Sequence, residues 1–132
     1  MSGRRHGRGR DAGQESGQAT VEAALVLPLV VLLLLAVVQV GLLVRAEVLV
    51  THAAREAARA AAVDSDPQAA ARAAALSTTL DPHRLTVHVE GRDGPGSRVR
   101  VDVTYSAPTD VPLIGSLLGD VTLHAEATMR VE

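Results

Sequence analysis

Cysteine, phenylalanine and tryptophan are absent from this chain, and Tyr105 is its only aromatic residue. Each absence removes a class of chemistry. Without cysteine there is no disulfide framework, no thiolate metal site and no lipid-modified thiol. With a single aromatic, base stacking on a nucleic-acid strand has no platform, and nucleic acid is not an expected partner. Lysine is missing as well. All thirteen basic residues are Arg, a bias that points to genome composition rather than to guanidinium-specific recognition. No Ser-His-Asp order, phosphate loop or pair of catalytic carboxylates can be assembled from what remains. The chain reads as non-enzymatic, with no cofactor and no small-molecule substrate.

What is present in excess is a long apolar run from Ala23 to Val44, in which Gln39 is the only strongly polar residue. As a helix the run is roughly 33 Å long, against a hydrocarbon core of roughly 30 Å, so it predicts one transmembrane span. Ahead of it stand Arg4, Arg5, Arg8 and Arg10, with Asp11 and Glu15 as the only acids, whereas the charge beyond it is mixed. The positive-inside bias then places the N-terminus in the cytoplasm and the C-terminal part outside. A secretory signal peptide has a shorter apolar core; the best downstream small-x-small site is Val44-Arg45-Ala46, and the long run argues for retention as an anchor. Arg4-Arg5 raises the twin-arginine route, but His6-Gly7-Arg8-Gly9 lacks the apolar positions such signals carry.

Immediately before the run lies Gly17-Gln18-Ala19-Thr20-Val21-Glu22. A carboxylate costs roughly 2.5 to 3.5 kcal/mol at the centre of a membrane helix and less toward the interface, so Glu22 invites a functional explanation. Two readings stand. Glu22 can sit at a helix N-terminus, gaining roughly 0.3 to 1 kcal/mol from the helix dipole. It can also pair with a free ammonium of another subunit, where low dielectric strengthens attraction and an unpaired charge is penalised.

Beyond the run, residues 45–62 hold no Gly or Pro and are dominated by Ala, so Thr20 to Ala62 is expected to form one continuous helix, loosened near Ala24 to Pro28 by Pro28. Arg45, His52, Glu56 and Arg59 recur as a polar stripe, leaving Leu49, Ala53, Ala57 and Ala60 on another face. Glu56 and Arg59 are spaced as a solvated i,i+3 pair. Asp66 and Pro67 predict the cap and first position of a second helix with Ala69 to Leu76 as its body, closed by Asp81-Pro82.

The period then changes to two. Leu85, Val87 and Val89 alternate with polar residues, a turn follows at residues 91–96, and Val99, Val101, Val103 and Tyr105 continue the alternation. Val121 to Val131 repeats it as a third strand, with the strand order left open. His88 and His124 fall on the polar side, where two His without a placed carboxylate form a solvated face rather than a metal site. Residues 108–119 carry Val111, Leu113, Ile114, Leu117 and Leu118, which reads either as a lid on a small core or as an exposed docking patch.

The chain resembles the TadE-like proteins, pseudopilins of the tight-adherence (Flp-type) pilus assembly system. The resemblance rests on Gly17 to Pro28, on the Ala-rich stretch Ala53 to Ala62, and on the closing Ala125 to Glu132, and so spans most of the chain. It implies that a prepilin peptidase cleaves after Gly17, that Gln18 becomes the new, commonly N-methylated terminus, and that Glu22 meets the terminal ammonium of a neighbouring subunit. The expected partners are that peptidase, other pilins or pseudopilins, Tad platform proteins and the membrane. Removing residues 1–17 takes away four of thirteen Arg and two of fifteen acids, leaving a mildly acidic chain.

The expected organisation is a cytoplasmic leader at 1–17, a transmembrane helix at 18–44, an extracytoplasmic extension at 45–62 and a small α+β domain at 63–132. The expected fold is α+β: a long N-terminal helix, a short second helix and a three-stranded antiparallel sheet packed on helix. The expected role is that of a membrane-anchored minor pilin or pseudopilin in Flp/Tad pilus assembly or related secretion. The alternative is an uncleaved, signal-anchored binding domain of the cell envelope.

Overall fold

A computed structural model of the chain describes residues 11–113 and 115–132. Arg4, Arg5, Arg8 and Arg10, on which the orientation reading rests, lie outside the described residues, as does Ile114. The first element is helix α1, Asp11–Val63, 53 residues long with Pro28 inside it. It begins well before the expected start at Thr20. Gly13 and Gly17 weaken a helix by roughly 1 kcal/mol each relative to Ala but do not stop it, and propagation from an established helix needs no new nucleus.

Helix α2 spans Pro67–Leu76. Asp66 is its N-cap, accepting a hydrogen bond from the Gln68 backbone N–H at 3.0 Å, and its other carboxylate oxygen accepts one from Arg72 Nη2 at 3.1 Å. The expected close at Asp81-Pro82 is displaced. The helix stops at Leu76, with Ser77 as C-cap donating its hydroxyl to the Ala74 carbonyl at 2.9 Å. Asp81 instead caps a single 3-10 turn, Pro82–Arg84, that leads into the sheet.

Three antiparallel strands follow, β1 (Leu85–Glu90), β2 (Arg98–Ala107) and β3 (Val121–Arg130), in the order β1-β2-β3. In this register Val87 faces Val103 and Val101 faces Ala127, so one side of the sheet is apolar throughout. Val99, Val101, Val103, Tyr105 and Ala107 on the central strand are all buried. Between β1 and β2 the backbone turns through Gly91, Gly94 and Gly96 with positive φ, a conformation glycine adopts without steric penalty.

The cover for the sheet is the second half of α1. Ala53, Ala54, Ala57, Ala58, Ala61 and Ala62 join Ala70 and Ala74 of α2 and the β2 valines in one core. Methyl side chains let the helix backbone approach the sheet closely, and each fully buried valine opposite contributes about 1.5 to 3 kcal/mol. The buried face is wider than expected and slightly rotated, with Ala54, Ala58 and Ala61 inside it and Ala60 only half-buried at its edge. Val131 is buried and Glu132 donates its backbone N–H to the Ala62 carbonyl at 3.2 Å, tying the end of the sheet to the end of the helix. The chain falls into two compact units, one ending at Ala36 and one comprising Val37–Glu132. The architecture is α+β and pilin-like, as expected.

Candidate functional site

Gly17, Gln18 and Glu22 all lie on α1, and all three are exposed. Nothing lies within 4 Å of where a Cβ at Gly17 would stand, so this glycine meets no packing demand from the fold. Helical spacing separates Gly17 from Glu22 by somewhat more than one turn, about 7.5 Å of rise. No intramolecular partner is recorded for the Glu22 carboxylate among the described residues, and its charge is available to another molecule.

The segment that follows is bare. Val21, Leu25 to Leu27 and Leu29 to Leu34 are exposed, and Gly17–Val63 is long and apolar enough to cross a membrane. A water-facing helix carries one apolar stripe, whereas this stretch is apolar all round. Such a surface is stable in hydrocarbon, where every backbone polar group is satisfied inside the helix.

Gln39 departs from that pattern. It is 2% exposed, and neither its amide nitrogen nor its amide oxygen has a hydrogen-bond partner. Its place in the sequence as the one strongly polar residue of the run was visible, but its burial was not, because nothing in the periodicity indicates where the domain's cover over the helix ends. Higher on the same face, Leu42, Leu43 and Ala46 line a crevice with Tyr105, Pro108 and Asp110.

The segment between β2 and β3 combines both expected readings. Val111 and Thr109 are buried, which makes its first part a lid. Leu113 and Leu117, by contrast, are 61% and 81% exposed. The loop is closed at its base by the Thr109 hydroxyl, which donates to the Gly119 carbonyl, and Gly115 sits so close to Thr109 that a Cβ there would collide with the Thr109 carbonyl oxygen. A single turn, α3 (Gly115–Leu118), lies within it. Leu113 has φ of 69°, a left-handed conformation that costs an L-residue roughly 1–2 kcal/mol.

On the polar face of the sheet the charges pair locally. His88 Nε2 lies 3.0 Å from Glu90 Oε1, His124 Nε2 3.5 Å from Asp102 Oδ1, and Arg100 Nε 3.0 Å from Glu126 Oε1. Each histidine contacts a carboxylate of its own, and no group of three or more metal-ligating residues forms among the described residues. Glu56 and Arg59, spaced as a helix pair, form no ion pair among the described residues. Arg84 is the most heavily engaged cation, donating to Asp120 Oδ2 at 2.8 Å and lying 4.0 Å from Asp81. The hydrogen bond that Arg84 donates to Asp120, with the negative charges of Asp120, Asp110 and Asp81, raises the guanidinium pKa above its ordinary value.

Compared with known families, residues 17–59 match the model described as TadE-like protein. The match begins at Gly17 and runs through Glu22, the apolar run and most of the Ala-rich stretch; Ala125 to Glu132 lies outside it. No curated protein and no solved structure matches the chain.

Proposed function

From the match of residues 17–59 to the TadE-like model, we propose that this chain is a TadE-like, membrane-anchored minor pilin or pseudopilin of a Tad (Flp-type) pilus assembly system or a related secretion system. The observation that carries this reading is the coincidence of three features in one segment. The family match starts at Gly17, an exposed carboxylate follows at Glu22, and an apolar helix that is exposed on every side from Ala23 to Leu34 comes next.

In this reading a prepilin peptidase cleaves the Gly17–Gln18 bond on the cytoplasmic side and the apolar helix is kept as the anchor. Cleavage converts the Gln18 nitrogen from an amide into an ammonium. The Glu22 carboxylate of one subunit then pairs with the Gln18 ammonium of its neighbour, and in a low-dielectric setting each charge offsets the desolvation of the other. Such pairing sets the register of one subunit against the next. Its partners are other pilins and the platform proteins, and its role is non-enzymatic.

Mass spectrometry of the protein from membranes tests the first step. A chain beginning at Gln18 is expected, with Gly17→Arg blocking its appearance; an intact N-terminus supports the uncleaved envelope-domain alternative instead. Glu22→Ala is expected to be inserted and processed but poorly assembled, and normal assembly in that variant leaves Glu22 with an anchoring role alone.

A further inference from the structure

We propose that the loop between β2 and β3 is a shallow membrane wedge: Leu113 and Leu117 enter the outer leaflet of the bilayer that holds α1. This rests on the membrane reading of α1 given above. Three observations place the loop at that level. Pro108 and Asp110, at the loop's first shoulder, share a crevice with Leu42 and Leu43, which belong to the last turn of the apolar run. Gln39, one turn earlier on the same face, is buried while its neighbours Val38 and Val40 on the other faces are exposed, so cover on this face extends down into the run. Leu113 and Leu117 then stand exposed just beyond a shoulder that already touches the span.

The loop is built to present these side chains rather than to bury them. The Thr109–Gly119 hydrogen bond and the close approach of Gly115 to Thr109 fix its base. Ser116 donates its hydroxyl to the Leu113 carbonyl at 3.0 Å, and Leu113 holds a left-handed backbone that turns it out of the core. A buried Leu in that strained conformation would be repaid by packing; an exposed one is not, unless lipid receives it. The charges beside the loop pair among themselves. Arg84 lies among Asp81, Asp110 and Asp120, so the acids bracketing the loop face a common cation. The partner is therefore the lipid surface itself, because the wedge is continuous with the segment that already crosses it.

The absence of cysteine makes the test direct, since any introduced thiol is unique. The full chain is reconstituted in phosphatidylcholine vesicles with an environment-sensitive fluorophore on Leu113→Cys or Leu117→Cys. Leu33→Cys in the apolar run serves as a lipid reference, and Leu76→Cys on α2, where Leu76 is 87% exposed, as an aqueous one. The wedge predicts blue-shifted emission at Leu113 and Leu117, quenching by nitroxides on the lipid chains, and protection from iodide relative to Leu76. Iodide quenching at Leu117 equal to that at Leu76, with Leu33 still protected, overturns the wedge and leaves the anchor intact. Iodide access at Leu33 overturns the anchor and the wedge together. Protection at Leu117 that disappears as protein is diluted in lipid assigns the loop to a second copy and also overturns the proposal. Adding Leu117→Asp to the Leu113→Cys chain is expected to release the Leu113 probe to iodide without moving the domain's thermal transition; retained protection there overturns the proposal.

Discussion

The two halves of α1 are one helix in backbone and two in side-chain chemistry. From Val21 to Leu34 its Leu and Val are exposed on every side, whereas from Ala53 to Ala62 it buries a face made of alanine alone. The difference follows from what each half meets. Lipid is fluid and fills around large side chains, so bulk on the first half creates no conflict and adds apolar area. The sheet is a fixed surface of valines, and the second half can approach it only where its own side chains are small. Side-chain volume along a single helix thus records whether its neighbour is a liquid or a packed solid.

That contrast can be broken from either end. The largest effect is expected for Leu33→Asp, which places a carboxylate at the centre of the apolar run at about 3 kcal/mol of insertion free energy. Carbonate extraction of membranes should recover more of that variant in the soluble fraction, while the melting temperature of its folded domain stays unchanged. Ala57→Leu tests the opposite half. Ala57 is fully buried against the sheet, and the added carbons overpack that contact, destabilising the domain by about 2 kcal/mol in urea unfolding while leaving membrane retention untouched. The matched control, Leu33→Ala, should change neither the unfolding midpoint nor retention measurably, because one side chain in a long run is a small share of its apolar area.

Asp66→Ala sharpens the boundary at which α1 gives way to α2. Removing the cap leaves the Gln68 N–H without its side-chain acceptor, and the loss is about 1 kcal/mol of domain stability by the same urea measurement. Asp66→Asn should retain most of it, since the amide oxygen can still accept that bond. If Asn behaves as Ala does, the ion pair with Arg72 rather than the cap is the stabilising contact.

Much of this was legible in the residues. The apolar run, the Asp66-Pro67 start of α2 and the alternation of all three strands could be read because each depends on local chemistry or on a period of two or 3.6. That α1 is already helical at Asp11 was not legible, because glycine marks a weak point without saying whether the helix continues through it. The rotation of the alanine face was hidden for a related reason: in a run where most positions are Ala, composition gives little contrast between buried and exposed sides. The loop after β2 could not be assigned to one role because it has two, with Val111 turned in and Leu117 turned out within six positions of each other. At Gly17, Gln18 and Glu22 the sequence pattern supplied the candidate site and the structure supplied its exposure; their roles in cleavage and pairing are what the proposed experiments address.

The contact between Ala62 and Glu132 bears on the order of events in synthesis. Val131 donates to Ser97, its carbonyl accepts from Gly96, and the following residue reaches back to the end of α1, so the last strand is the piece that seals the sheet against the helix. A growing chain that has reached only Asp110 holds its alanine-rich helix and two of its three strands, with β3 still missing. The domain must therefore be kept from sticking to its neighbours until residue 131 has emerged, and closure then comes late and all at once, by a contact between distant parts of the polypeptide.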